Sequence, residues 1–130
     1  DWGGRGVVAV FGNASIPFTG RWASGNYHLI NPVSQTQPTL TLGAILEPAS
    51  PLMVGVTSLS AQAAYQSTGA PINGGIVVAR WSNGNPLIVR GVKNTRNYVT
   101  INMYPPSITG RADFWTGSGA EIMRNALQYK

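Results

Sequence analysis

Four carboxylates, one imidazole and no thiol are all that this 130-residue chain offers for acid–base or nucleophilic chemistry. The carboxylates belong to Asp1, Glu47, Asp113 and Glu121. General acid–base work by two carboxylates needs a pair brought together, and these are scattered, with Glu121 placed to help cap a helix. A lone His28 without clustered acids does not build a His-based metal site, so neither a metal nor another cofactor is expected. Ser118, His28 and Asp113 can be drawn as a triad. However, Gly117-Ser118-Gly119 lacks the strand-to-helix elbow that would present such a serine. The absence of cysteine removes disulfides, thiolate metal ligands and every Cys-nucleophile mechanism. No catalytic residue is assigned.

Residue types suited to binding gather between positions 16 and 38, a Pro-, Gly-, Ser- and Asn-rich stretch without a sustained period. Arg21, Trp22, Tyr27 and His28 form a polar–aromatic group of the kind that grips a sugar, a peptide or a neighbouring subunit. The competing reading is that Trp22 and Tyr27 only pin a long loop to the body. Asn13-Ala14-Ser15 is a formal N-glycosylation sequon.

Composition narrows the partners. The formal charge of +5 reflects few acids as much as many bases, and charged residues make up only 10% of the chain. Arg90, Lys93 and Arg96 surround one loop and the other bases are dispersed, so the stripe with interleaved aromatics that nucleic acid requires is missing. The early glycines precede the first apolar run instead of following it, the wrong order for a dinucleotide loop. No apolar run reaches the length of a membrane span. A charge-poor chain rich in Gly, Ser, Thr and Asn suits an exported or assembly-forming protein, so an extracellular or cell-surface location is expected. Opening at Asp1 without a charged leader and apolar stretch, the chain reads as processed or excerpted.

The elements that would position these residues begin with Val7 to Phe11, an apolar run suited to a strand buried on both faces. A short strand at Tyr27 to Ile30 is allowed, and Thr39 to Leu46 reads as a strand. Leu52 to Val56 reads as a short strand or tight connection, and Ser58 to Gln66 as a short helix or strand-like loop. Residues 74–104 predict a three-stranded meander, turning at Asn83-Gly84, where both residues tolerate positive φ. The segment from Gly91 to Asn97 reads as a polar, basic loop. In the last strand Val99, Ile101 and Met103 point to the core, and Tyr98, Thr100, Asn102 and Tyr104 point away. Pro105-Pro106 stops it, with Phe114 and Trp115 as anchors beyond. Ser118 and Glu121 make a capping box for a helix whose stripe is Ile122, Met123, Ala126 and Leu127, with Arg124, Asn125 and Gln128 facing water.

Several of these segments carry a resemblance: Pro51-Leu52-Met53-Val54-Gly55-Val56, the run from Val77 to Leu87, Val99-Thr100-Ile101-Asn102, Trp115 to Gly119 and Asn125-Ala126-Leu127. Gly3-Gly4, Val7-Val8 and Gly20-Arg21-Trp22 add to it. Together they resemble the C-terminal part of class I glutamine-amidotransferase-like (ThuA-like) α/β domains. That resemblance implies an incomplete flavodoxin-like domain whose opening strands and helices precede Asp1. It departs from the family in having no nucleophilic cysteine and in placing Ser50 where such domains often have histidine, so it implies a non-catalytic descendant. The expected architecture is a single α/β domain over residues 1–130. It has a strand-rich mixed sheet, a C-terminal antiparallel meander and a packed terminal helix. The expected function is a structural or interaction module assembling with other protein chains. These would be further copies of itself or a chain carrying the missing N-terminal half. The alternative is a carbohydrate- or ligand-binding domain using the 20–28 loop.

Overall fold

The computed structural model describes residues 7–10, 17–104 and 115–130. Their elements run β1 (Val7–Val10), α1 (Gly20–Ser24), β2 (Gln35–Thr36), β3 (Leu40–Ile45), a 3-10 turn (Pro51–Met53), β4 (Leu59–Ala61) and β5 (Gln66–Ser67). The chain continues through β6 (Ile76–Trp81), β7 (Pro86–Lys93), β8 (Arg96–Ile101), β9 (Trp115–Gly117) and α2 (Gly119–Gln128). Seven strands form one sheet in the order β1-β8-β7-β6-β3-β4-β9, and β2 pairs with β5 in a two-stranded ribbon. The sheet is mainly antiparallel, with β1 alongside β8 as its parallel pair. The strand-rich sheet, the meander β6-β7-β8 and the helix packed near the C-terminal end match the expected architecture.

The β6–β7 turn closes with the Gly84 N–H donating to the Trp81 carbonyl, and only Gly84 uses a positive φ, +88°. Asn83 contributes its side chain, which accepts from the Asn85 N–H. The hairpin of the kind expected there lies one turn later. Lys93 pairs with Arg96 across Asn94 and Thr95, whose φ angles are 49° and 63°, the two left-handed residues of a type I′ connection. The supposed polar loop from Gly91 to Asn97 is therefore mostly strand.

The meander was expected to bury one face, and it buries two. On the first, Val78, Leu87, Ile88, Val99, Ile101 and Trp81 meet Leu52, Ile122 and Ala126, each such fully buried side chain contributing about 1.5–3 kcal/mol. On the second, Val89 and Tyr98 are covered by Leu29 and Ile30. Thr100 is also buried there, its hydroxyl accepting from the Leu29 N–H at 3.0 Å. Alternation alone shows which residues share a face, but not whether a distant segment covers the polar one.

Asn102, expected to point to solvent, is 2% exposed. Its Oδ1 accepts from the Ser67 N–H at 2.7 Å, and its Nδ2 donates to the Ser67 and Pro86 carbonyls at 2.8 Å each. Its carbonyl accepts from the Trp81 indole at 2.9 Å. One side chain thus links β5, the start of β7 and the strand end it follows.

The terminal helix has the expected place with a different face inward. Asn125 is buried, its Nδ2 donating to the Leu52 and Val54 carbonyls, whereas Leu127 is 67% exposed. The Asn125 amide satisfies carbonyls left unpaired by the 3-10 turn, so that the Leu52–Val56 segment takes the tight connection and not the short strand of its two readings. Ser118 precedes the helix without a side-chain cap, because its hydroxyl accepts instead from the Thr57 and Ser58 amides. Of the two readings of Ser58 to Gln66, the extended one holds: the segment carries the short strand β4 and leads into β5, with no helix. Ile30 makes an isolated bridge to Pro71 in place of a strand at 27–30.

Candidate binding site

A short helix and a reversal assemble the aromatic group. The Gly25 N–H donates to the Arg21 carbonyl at 2.9 Å and the Asn26 N–H to the Ala23 carbonyl at 3.0 Å, ending α1. Asn26 takes a φ of 55°, a left-handed conformation that asparagine tolerates better than most residues. The chain doubles back and sets the Trp22 and Tyr27 rings 6.0 Å apart. Phe18 lies 5.8 Å from Trp22 and 5.6 Å from His28. Tyr27 stacks on Tyr98 of β8 at 5.4 Å, and the Lys93 ammonium sits 4.8 Å from the Tyr27 ring centroid.

The structure therefore brings Trp22, Tyr27 and His28 together, while Arg21 stays exposed on α1. Phe18, Tyr98 and Lys93 complete the group. Tyr98 was legible only as an outward residue of the last strand, and Lys93 was hidden by the loop reading of its segment. Asn13 and its sequon lie outside the described residues.

Burial governs the electrostatics. Desolvation holds His28 below its ordinary pKa, so the neutral imidazole is favoured. Among the described residues, its Nδ1 and the Trp22 Nε1 are both buried without a hydrogen-bond partner. The three bases of the supposed loop are divided. Arg90 makes a bidentate pair with Glu47, at 2.6 and 2.7 Å, on the face that carries α2. Each partner favours the other's charged form, lowering Glu47 and raising Arg90. Lys93 faces the aromatic group on the opposite side.

Beside that group lies a cleft of about 210 Å³ lined by Asn26, Leu29, Asn73, Val92, Lys93 and Tyr98. The Asn73 amide is fixed by donating to the His28 carbonyl at 2.8 Å. A second groove of about 440 Å³ runs along α2 between Val54, Arg124 and Tyr129.

The drawn triad does not come together. Ser118 does stand at a strand-to-helix junction, between β9 and α2, but its hydroxyl is occupied in accepting from two backbone amides; His28 belongs to the opposite face, and Asp113 lies outside the described residues. Among the described residues no group of three His, Asp or Glu could hold a metal ion, and no helix is long and apolar enough to cross a membrane. The arrangement of aromatic rings, amides and one cation around a cleft suits binding. Comparison with protein-family models, curated proteins and solved structures finds no match to this chain.

Proposed function

We propose that the chain is a non-catalytic structural or interaction module that assembles with other protein chains, outside the cell, through the β1 edge of its sheet. One observation carries this reading: β1 ends the sheet, and among the described residues it pairs with β8 alone. An unpaired parallel edge is a template for another strand, supplied by a second copy or by a chain carrying the upstream half of the domain. The parallel β1–β8 pair has the strand direction that a doubly wound, flavodoxin-like half would continue. Exposed Leu46, Val54, Val92 and Leu127 add apolar surface, and few charges oppose contact.

Proline substitution tests the edge. In a strand, successive N–H groups point to opposite sides, so one of Val8→Pro and Ala9→Pro removes an outward donor and the other a β8 bond. The outward variant is expected to stay folded and lose assembly. If the outward variant folds and still assembles like the parent, the edge is not the interface.

The second reading, a carbohydrate- or ligand-binding role for the 20–28 loop, is favoured by the unpartnered Trp22 Nε1 and His28 Nδ1. Trp22→Ala should then abolish binding to a glycan array with little change in Tm. A variant that mainly loses stability marks Trp22 as an anchor.

A further inference from the structure

We propose that the cleft beside the β7–β8 turn binds a small hydroxy-carboxylate of the uronic-acid class. In this site Lys93 takes the carboxylate, Asn26 and Asn73 take hydroxyls, and Leu29, Val92 and Tyr98 support the apolar side of the ligand. The proposal stands apart from the β1 edge and does not depend on assembly.

Charge is the first argument. Glu47 and Glu121 are the acids among the described residues; Glu47 is paired with Arg90 on the other face, and Glu121 lies in the first turn of α2. Among the described residues, Lys93 therefore presents an ammonium with no acidic partner at the cleft. Its position is set by the Tyr27 ring beneath it, 4.8 Å away, an attraction that places no counter-charge beside the ammonium. One ammonium matches one carboxylate, whereas a phosphate dianion is better served by an arginine fork or a nest of backbone amides.

Backbone conformation is the second. Among the described residues, the non-glycine positions with positive φ are Asn26, Asn73, Asn94 and Thr95. Two of them line the cleft, and the other two form the turn that follows Lys93. Conformations of this kind persist where surrounding structure enforces them, and they concentrate at ligand clamps. Here two of the four line one cleft.

Chemistry and size are the third. The Asn73 amide is oriented by its bond to the His28 carbonyl and keeps its Oδ1 and a second N–H for a ligand. Asn26 is exposed beside it. A pair of amides over an apolar floor reads hydroxyls on a ring. At about 210 Å³ the cleft is smaller than the roughly 300–1,000 Å³ of sites for drug-sized ligands, so a single ring fits and an oligomer would extend into solvent.

The experiment is a ¹H–¹⁵N titration of the full chain with sodium glucuronate, glucose and sodium acetate, repeated on Lys93→Gln. Saturable shifts at residues 26, 29, 73, 92, 93 and 98 are expected with glucuronate, with a Kd of about 1 mM. Glucose and acetate should each bind at least about tenfold more weakly, and Lys93→Gln should lose about tenfold for glucuronate alone. The glucuronate affinity should also fall as salt screens the ammonium. Glucose binding as well as glucuronate would remove the role of Lys93, and acetate binding as well would remove that of the amides. Either result overturns the proposal, as do shifts centred elsewhere or no saturable response. The Lys93→Gln spectrum away from the cleft checks that the fold is intact.

Discussion

Replacing Asn102 by alanine tests the reasoning about the polar face of the meander. The side chain holds three backbone groups, the Ser67 N–H and the carbonyls of Ser67 and Pro86, all within 2.8 Å, and is itself 2% exposed. Alanine strands all three. A buried polar group left unsatisfied costs about 1–3 kcal/mol, so the loss should be about 4 kcal/mol after partial relaxation, a large part of the 5–15 kcal/mol typical of a domain. The corresponding fall in Tm is about 10–20 °C for a chain of this size. Urea unfolding followed by tryptophan fluorescence is a suitable assay, because the Trp81 indole donates to the Asn102 carbonyl and is 1% exposed. Parent and variant are compared at one protein concentration, since assembly shifts apparent stability. Asn102→Asp should be at least as damaging, since it places an acceptor against two carbonyls. A loss under about 1 kcal/mol for Asn102→Ala would refute the account of Asn102 as a structural link.

Thr95→Gly should stabilise the protein by about 1 kcal/mol, because a β-branched residue held at a φ of 63° loses a left-handed penalty of roughly that size; thermal melting checks it. His28 should make stability depend on pH. Its folded pKa is lowered by burial, so the unfolded chain binds the proton more readily. The contribution is full above its unfolded value near 6.5 and is lost as pH falls from there towards the folded pKa. His28→Gln should remove that slope in a series of melts. Glu47 adds a separate loss at more acidic pH, since its pairing with Arg90 lowers its pKa from 4.5 and is undone by protonation. Glu47→Gln should nevertheless cost less than about 1 kcal/mol by urea titration at neutral pH, the pair being partly solvent-exposed.

The meander, β3 and α2 were legible because their signals are local: β-branched runs, alternation and an amphipathic turn. What escaped was set by distant chain. Tyr98, Thr100 and Asn102 read as solvent-facing until Leu29, Ile30 and Ser67 arrive from elsewhere to cover or bond them. Asn125 looked like a surface residue because its partners, the Leu52 and Val54 carbonyls, lie more than seventy positions away. The Asn94-Thr95 turn was missed because threonine rarely accepts the conformation found there. At the aromatic group, Trp22, Tyr27 and His28 could be picked by type, but Lys93 could join only once its segment was seen to be strand.

Sedimentation equilibrium of the native chain between about 1 and 100 μM, the range in which interfaces of micromolar affinity populate, tests the central claim most directly. The account predicts a mass that rises above 13.8 kDa with concentration, or a stable complex when a chain carrying the upstream half is supplied. A chain that remains a 13.8 kDa monomer throughout, binds no dye specific for exposed apolar surface and forms no such complex would contradict it.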